Sequence, residues 1–540
     1  DGSIAQIGSQ YLLTLKALGC ANGQLLASTE AQASDKNDVL AALGKISSDI
    51  RKQLGESLGS VQKYDTPLAE ATTSSLEALQ AFSRGREAEL AGDNPGAIPF
   101  FQHAIQIDPN FAMAYAALGT VYSNFGEPNL AAQSTTKAYA LRDCVTEKEK
   151  LYIDSHYDHF VLGDLEKARQ TYELWRSEYP QDDGPRTNLA VIYGELGQPQ
   201  KSLEEEQPAF RIDPNGNAYV DLTFNFLSLN RLQEAQAVIQ EAQSKNRDSA
   251  LLRLASYYIA FLQNDPAGMA REVAWSKGKR AEPLFLANES DTTAYSGQER
   301  KALDLMQQAI SAATQANDGN EVIASDNVDV AVGEALVGND TVARQFASTA
   351  LQLSTSRDVQ LGAAFALALV GDAAKSQALV DDLAKRFPQD TIAQSIEIPA
   401  IRAQLALLHG DSSKAIEILQ PALPYDLSVD VRLPYIRGQA YLMAKQGSAA
   451  AAEFQKIINH SGIVLIDPIG ALAHLGLARA YAVEAGLSRH GENDAANPSL
   501  QPDALAKARK AYQDFLALWQ HADPGIPILK QAQSEYAKLH

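Results

Sequence analysis

The stretch GDNPGAIPFFQHAIQIDPN, residues 92–110, decides how the rest of the chain is read. A Gly-Asp turn opens it, Ala97, Phe101 and Ala104 follow at spacings of 4 and 3, and Pro109 comes just after. Apolar residues at that spacing share one face of a helix. Proline then stops the helix, because its ring fixes φ and removes an N–H. The pattern recurs. Counted from residue 78, Gly85, Ala97, Phe101, Ala104 and Pro109 stand at positions 8, 20, 24, 27 and 32 of a 34-residue unit. One unit on, Gly119, Tyr122, Gly126, Ala131 and Ala138 stand at positions 8, 11, 15, 20 and 27.

This spacing resembles the tetratricopeptide (TPR) pattern, in which each unit is two antiparallel helices. Small residues at positions 8, 20 and 27 let the helices approach, and a large one such as Phe101 fills the gap between neighbouring units. Glycine at position 15 ends the first helix in a left-handed conformation that costs little without a Cβ. One hairpin cannot bury its apolar face alone, so units stack.

The pattern continues with Gly163, Ala168, Tyr172, Trp175 and Pro180, then with Leu189, Ala190, Tyr193, Gly197, Ala209 and Pro214. Ala235 and Ala242 mark a weaker copy, and residues 251–324 read as degenerate helical repeats. It returns with Gly338, Ala343, Ala347 and Ala350, with Gly371 and Pro388, with Gly410, Ala415, Leu419 and Ala422, and with Gly438, Tyr441, Ala450 and Phe454. The polar segment 488–502 reads as an exposed, mobile loop, and PILKQAQSEYAKL, 527–539, as a capping helix. The expected fold is mainly α: a TPR-type α-solenoid of about ten or eleven hairpins. Residues 74–250 form its N-terminal array and 325–540 its C-terminal array, with the degenerate segment between.

The period changes in residues 1–70, which read as a small α+β module. QYLLTLKAL and QLLASTEAQA are strand-like runs around Asn22-Gly23, a hairpin-turn signal. DKNDVLAALGKISSDIRKQLGESL reads as an amphipathic helix with Asp35 or Asp38 near its N-cap, and VQKYDTPLAEATT as a linker. The chain opens on Asp1 with no initiator methionine or basic leader, and is expected to continue a longer protein, with strands preceding the module.

The net charge of −20 argues against nucleic acid and anionic lipid as partners. No run of 18 apolar residues exists. Cys20 and Cys144 form no metal-type pair; two separate buried thiols are the stronger reading, a disulfide between them the weaker. Gly44-Lys45 fails as a phosphate loop, since the required Gly is Val39 and the required Ser/Thr is Ile46. Kinase, G-x-S-x-G and H-E-x-x-H signatures are absent, so no catalytic residue, cofactor or metal is assigned. His156 and His159, three apart, could share a metal face, but they fall at repeat positions 8 and 11, which pack inside a hairpin. Tyr257, Tyr258 and Phe261 read as inter-helix core rather than as a stacking patch for a ligand.

Two stretches add a more specific resemblance. EFQKIINHSGIVLIDPIGALAHLGLARAYA with ARKAYQDFLALWQHADPGIPILKQAQSEYAKL, and GSIAQIGSQYLLTLKALGCANGQLLAS with LGESLGSVQKYDTPLAEATTSSLEAL, resemble the C-terminal region of TPR-bearing transmembrane Ser/Thr kinases of bacteria, acidobacteria above all. The resemblance covers nearly the whole chain. It implies a kinase domain and a membrane helix upstream of Asp1, an extracytoplasmic setting for these residues, and a non-catalytic sensor role. The residues themselves leave a cytoplasmic setting open. They also leave open a free-standing assembly protein that oligomerises, or the sensor part of a winged-helix regulator.

First helices of such arrays line a concave surface that captures protein or peptide. Tyr157, Phe160, Asp221 and Asn225 take inward-facing repeat positions and form the expected binding set. The positions of the Lys/Asn carboxylate clamp of chaperone-binding TPRs hold Phe82, Arg86, Ala116 and Thr120, so capture of a C-terminal carboxylate is not expected.

Overall fold

The computed structural model describes residues 1–19, 23–36, 38–56, 73–316, 318–428, 431–487 and 502–539. The linker read at 61–73 and the loop read at 488–502 fall almost wholly outside them.

Alternation in QYLLTLKAL makes one face of β2 (Gln10–Leu18) apolar, and Leu13 on it is buried. β2 pairs antiparallel with β3 (Leu25–Ala33), Tyr11 opposite Ala33 and Leu13 opposite Ala31. Helix α1 (Val39–Gln53) lays Val39, Ala42 and Ile46 on Leu13 and Ala33. A third strand, β1 (Gly2–Ile7), pairs with β2 and was not expected from the sequence. Every side chain of β1 is exposed, so it is held through its backbone, and the hydrophobic pattern carries no trace of it. In the predicted hairpin turn, Asn22 lies outside the described residues; Gly23 has φ +67°.

The chain forms two compact units: Asp1–Val161 with Gln170–Trp175, and Leu162–Arg169 with Arg176–His540. In the first, the α+β module is followed by the hairpins Leu76–Leu90/Asn94–Ile107 and Ala112–Asn124/Pro128–Ala140, then by helix Glu147–Tyr157. Thr146 and Glu149 close a capping box at the start of that helix. Phe101 is fully buried, and a Cβ on Gly85 would come within 2.6 Å of its ring, which is why position 8 is small. Cys144 is exposed, contrary to the expectation of two buried thiols: it sits in the short turn Arg142–Cys144 between helices, off their packed faces.

The second unit runs as successive hairpins from Gly184–Glu195/Pro199–Ile212 to Pro468–Glu484/Pro502–Leu518. The segment of weak sequence signal holds Ala250–Leu262/Pro266–Ser276 and Glu282–Tyr295/Glu299–Gln315. The signal fades there because other small residues take the close-approach positions. Buried Ser290, for one, donates to the Ala302 carbonyl of the next helix at 2.7 Å. Helix Pro527–Ala537 closes the unit, burying Leu529 and Ala532. Arg479 and the Tyr512 hydroxyl both donate to its Glu535, each at 2.9 Å.

This unit is long enough for the superhelix to meet itself. Thr391 N–H donates to the Gly163 carbonyl at 2.9 Å, and Thr391 Oγ1 accepts from Leu165 N–H at 3.2 Å. Gly163 has φ +66°, and a Cβ there would run into the Asp390 carboxylate. Farther along, Asn230 bonds Asn459, Ser461 and Gly462. Asp523 N–H then donates to the Gly297 carbonyl at 2.9 Å, and Trp519 Nε1 to the Tyr295 carbonyl at 3.0 Å. The side-chain hydrogen bonds in this series join residues 224 to 232 apart. That nearly constant offset is roughly seven 34-residue units, one superhelical turn stacked on the next.

Candidate functional site

Of the four residues expected on the inner surface, two lie in each unit. Tyr157 stacks on Tyr139 with ring centroids 3.8 Å apart. Phe160 presents its edge to His156 at 5.2 Å. Asp221 and Asn225 share helix Gly216–Ser228, and the Asn225 amide donates to the Asp221 carbonyl at 3.0 Å. All four are half-buried.

His156 is buried. Its Nδ1 lies 2.8 Å from the Tyr152 carbonyl, and its ring stacks on Tyr152 at 3.9 Å. Burial pulls its pKa down to about 3, so the ring is neutral. Among the described residues, no three His, Cys, Asp or Glu side chains are grouped to hold a metal ion. Tyr257 is core, donating to Thr292 Oγ1 at 2.8 Å. Its neighbour Tyr258 instead lines a cavity, its hydroxyl 2.5 Å from Asn288 Oδ1.

The carboxyl of Asp221 pairs with an unusual neighbour. Glu206, on helix Pro199–Ile212, is buried and neither of its carboxylate oxygens meets a donor. Burial, then the charges of Asp221 and Asp183, push Glu206 well above the carboxylate range; burial lifts Asp221 to about 7.

The cavity at Tyr258 measures about 320 Å³ and lies within the second unit. Tyr258, Asn288 and Asp291 reach it from two first helices, Asp329 and Glu334 from helix Asn320–Val337, Glu299 from a second helix, and Asp467 from the turn before Pro468. Burial, then Glu334 and Asp523, push Glu299 up to about 8. Burial, then Asp329, Asp467 and Asp326, push Asp291 well above its ordinary value. Arg432 also lines the cavity, donating to Glu397 at 2.6 Å and lying over the Phe365 ring at 4.5 Å. Asp329 is exposed, so the cavity communicates with solvent.

The sequence reading missed this wall, although its own register extends there. Asp221 stands nine residues before the turn residue Asn230; Asn288 and Asp329 stand nine before Gly297 and Gly338.

The fold is a TPR-type α-solenoid with a small three-stranded α+β module at its N-terminal end. Residues 100–133 match the tetratricopeptide-repeat family. Among solved structures, yeast Tom70 is similar over 85% of this chain and 95% of that one, at 14% identity and a TM-score of 0.31. The TPR domain of P58(IPK) covers 86% of this chain and 97% of its own, at 13% identity and a TM-score of 0.21. MamA is similar over 30% of this chain and 94% of its own, at 24% identity and a TM-score of 0.19. No curated protein sequence matches the chain. At these scores nothing of what those proteins do is carried over.

Proposed function

We propose that this chain is a non-catalytic scaffold that captures a protein or peptide on the inner wall of its solenoid. In this reading it is the extracytoplasmic sensor region of a bacterial transmembrane Ser/Thr kinase, with the kinase domain and membrane helix upstream of Asp1. The observation that carries the scaffold reading is the row of polar residues that successive first helices carry at matching repeat positions. Successive first helices spend their apolar faces on packing and still present Asp221, Asn225, Asn288, Asp291 and Asp329. The kinase reading is supported by the two stretches of sequence resemblance.

The test takes two steps. The mass of the protein in its native source, with peptides mapped upstream of Asp1, reads the preceding domain. A kinase and a membrane helix there support the sensor role; a winged-helix domain, or a native chain starting near Asp1, overturns it. Binding of a fluorescent peptide library to the full chain and to an Asp221→Ala/Asn225→Ala variant then reads the scaffold role. Retained affinity in the variant moves the capture surface elsewhere; no affinity in either sinks the peptide reading.

A further inference from the structure

We propose that the acidic cavity of the second unit binds an organic cation carrying ammonium or guanidinium groups. Three observations carry this. The wall is acidic on several sides at once, with Asp291, Glu299, Asp329, Glu334 and Asp467 brought together from separate helices and a turn. Among the described residues, neither Asp291 nor Glu299 forms an ion pair with a lysine or arginine, while the cavity's Arg432 forms one with Glu397. Finally, Glu299 is 6% exposed and its Oε1 meets no donor, although it lines the cavity. A buried carboxylate oxygen without a donor costs stability unless something satisfies it.

The chemistry of the occupant follows from the spacing. The carboxylates are not grouped tightly enough to share one metal ion. A volume of about 320 Å³ instead suits a flexible chain with more than one cationic nitrogen. Tyr258 and Asn288 add polar groups on the same wall. The charge of the whole chain, −20, steers cations toward it. The raised pKa of Glu299, about 8, agrees with an acid held neutral until a cation draws off its proton. The cation could be a free polyamine or a basic side chain of a bound partner; both present the same nitrogens.

The test is calorimetric titration of the full chain at low and physiological salt with two probes, spermidine and acetyl-Lys-Arg-Lys-amide. The variants are Glu299→Gln, Asp291→Asn and, as a control, the double exchange Asp381→Asn/Glu417→Gln at exposed sites off the cavity. Each cavity exchange removes an acid from a crowded acidic site, so folding is expected to survive in at least one. The expected result is one site per chain for at least one probe. Each cavity exchange should weaken it about tenfold, the worth of one charge-assisted contact, and the control should leave it within about twofold. Binding of spermidine assigns a free amine; binding of the peptide alone assigns a partner's side chain. The proposal is overturned if neither probe binds, or if the control costs as much as the cavity exchanges, which would make the attraction a property of net charge.

Discussion

The side-chain oxygen of Asn230 accepts the backbone N–H of Gly462 at 2.6 Å, across 232 residues of chain. The same oxygen accepts from the Ser461 hydroxyl at 3.0 Å, and the Asn230 amide donates to the Asn459 carbonyl at 2.9 Å. Asn230 thereby does two things. It closes its own first helix in the left-handed region, at φ +58°, which asparagine tolerates well. It also stitches one superhelical turn to the next. Val464–Pro468, immediately after this contact, form part of the acidic cavity wall, so the stitch and the cavity are one construction.

Gly462 should not tolerate a side chain. A Cβ there would overlap the Leu227 carbonyl oxygen. Gly462→Ala should lower stability by about 2–4 kcal/mol, combining overpacking with loss of the Asn230 bonds. Gly410→Ala is the control: its φ is +78°, but a Cβ would meet nothing within 4 Å, so the cost should be the left-handed strain alone, about 1–2 kcal/mol. Denaturant unfolding of both variants checks the difference; equal costs would mean that the turns are not stacked at this point.

Glu206 should make the protein less stable as pH rises. Its folded pKa, like that of Asp221 at about 7, lies above the unfolded value. The folded state therefore holds these protons longer: the stability from the pair is full below about pH 4 and is lost as pH rises, for Asp221 through about 7. Glu206→Gln removes that penalty, so its melting temperature should exceed the wild type's at pH 8 and match it near pH 4. A constant difference at both values would show that the carboxyl is charged in the fold.

His156 works in the opposite direction. Its folded pKa, about 3, lies below the unfolded value, so the unfolded chain takes up the proton first. Stability from this group is full above about pH 6.5 and is lost as pH falls toward 3, by about 1.4 kcal/mol per pH unit. His156→Phe should lack this slope between pH 6 and 4 while losing the contact to the Tyr152 carbonyl at every pH. Parallel stability profiles for variant and wild type would place the ring in water.

Arg437 is fully buried and donates to Asp426 and Glu453 at 2.6 and 2.7 Å. Removing one partner of a buried ion network costs about 3–5 kcal/mol when the remaining charge is left unpaired, and Lys456, which also contacts Asp426 at 2.5 Å and Glu453 at 3.2 Å, holds the cost here to the lower end of that range. Arg437→Ala should therefore unfold at markedly lower urea than the wild type. The loss should shrink in Arg437→Ala/Glu453→Gln, which removes part of the orphaned charge. No rescue in the double exchange would assign the loss to packing alone.

The repeats were legible because their signals are local. Gly85 and Phe101 lie within one hairpin, and each fixes the size of the other. Left-handed turn residues were legible where they are glycine, as at Gly163 and Gly197, and missed where Asn230, Asn264 or Lys445 does the same work. β1 was missed because it buries no side chain, and Cys144 was misplaced because its turn escapes the helical period. The stacked turn was out of reach for a different reason. Nothing near Gly163 in sequence announces Thr391, since that contact depends on the summed twist of about seven units. The cavity inherits that difficulty. Asn288 and Asp329 follow the register of Asp221, but their meeting with Asp467 follows only from the superhelix closing on itself.

The most direct test of that closure is a disulfide across it. Asn230→Cys/Ser461→Cys, in a Cys20→Ser/Cys144→Ser background, puts two thiols on side chains that hydrogen-bond at 3.0 Å and lie 231 residues apart. The stacked superhelix predicts that mild oxidation yields a monomer with an internal cross-link and no thiol left to alkylate. Two freely alkylating thiols on a chain that is still folded would contradict it, and with it the cavity wall that the closure builds.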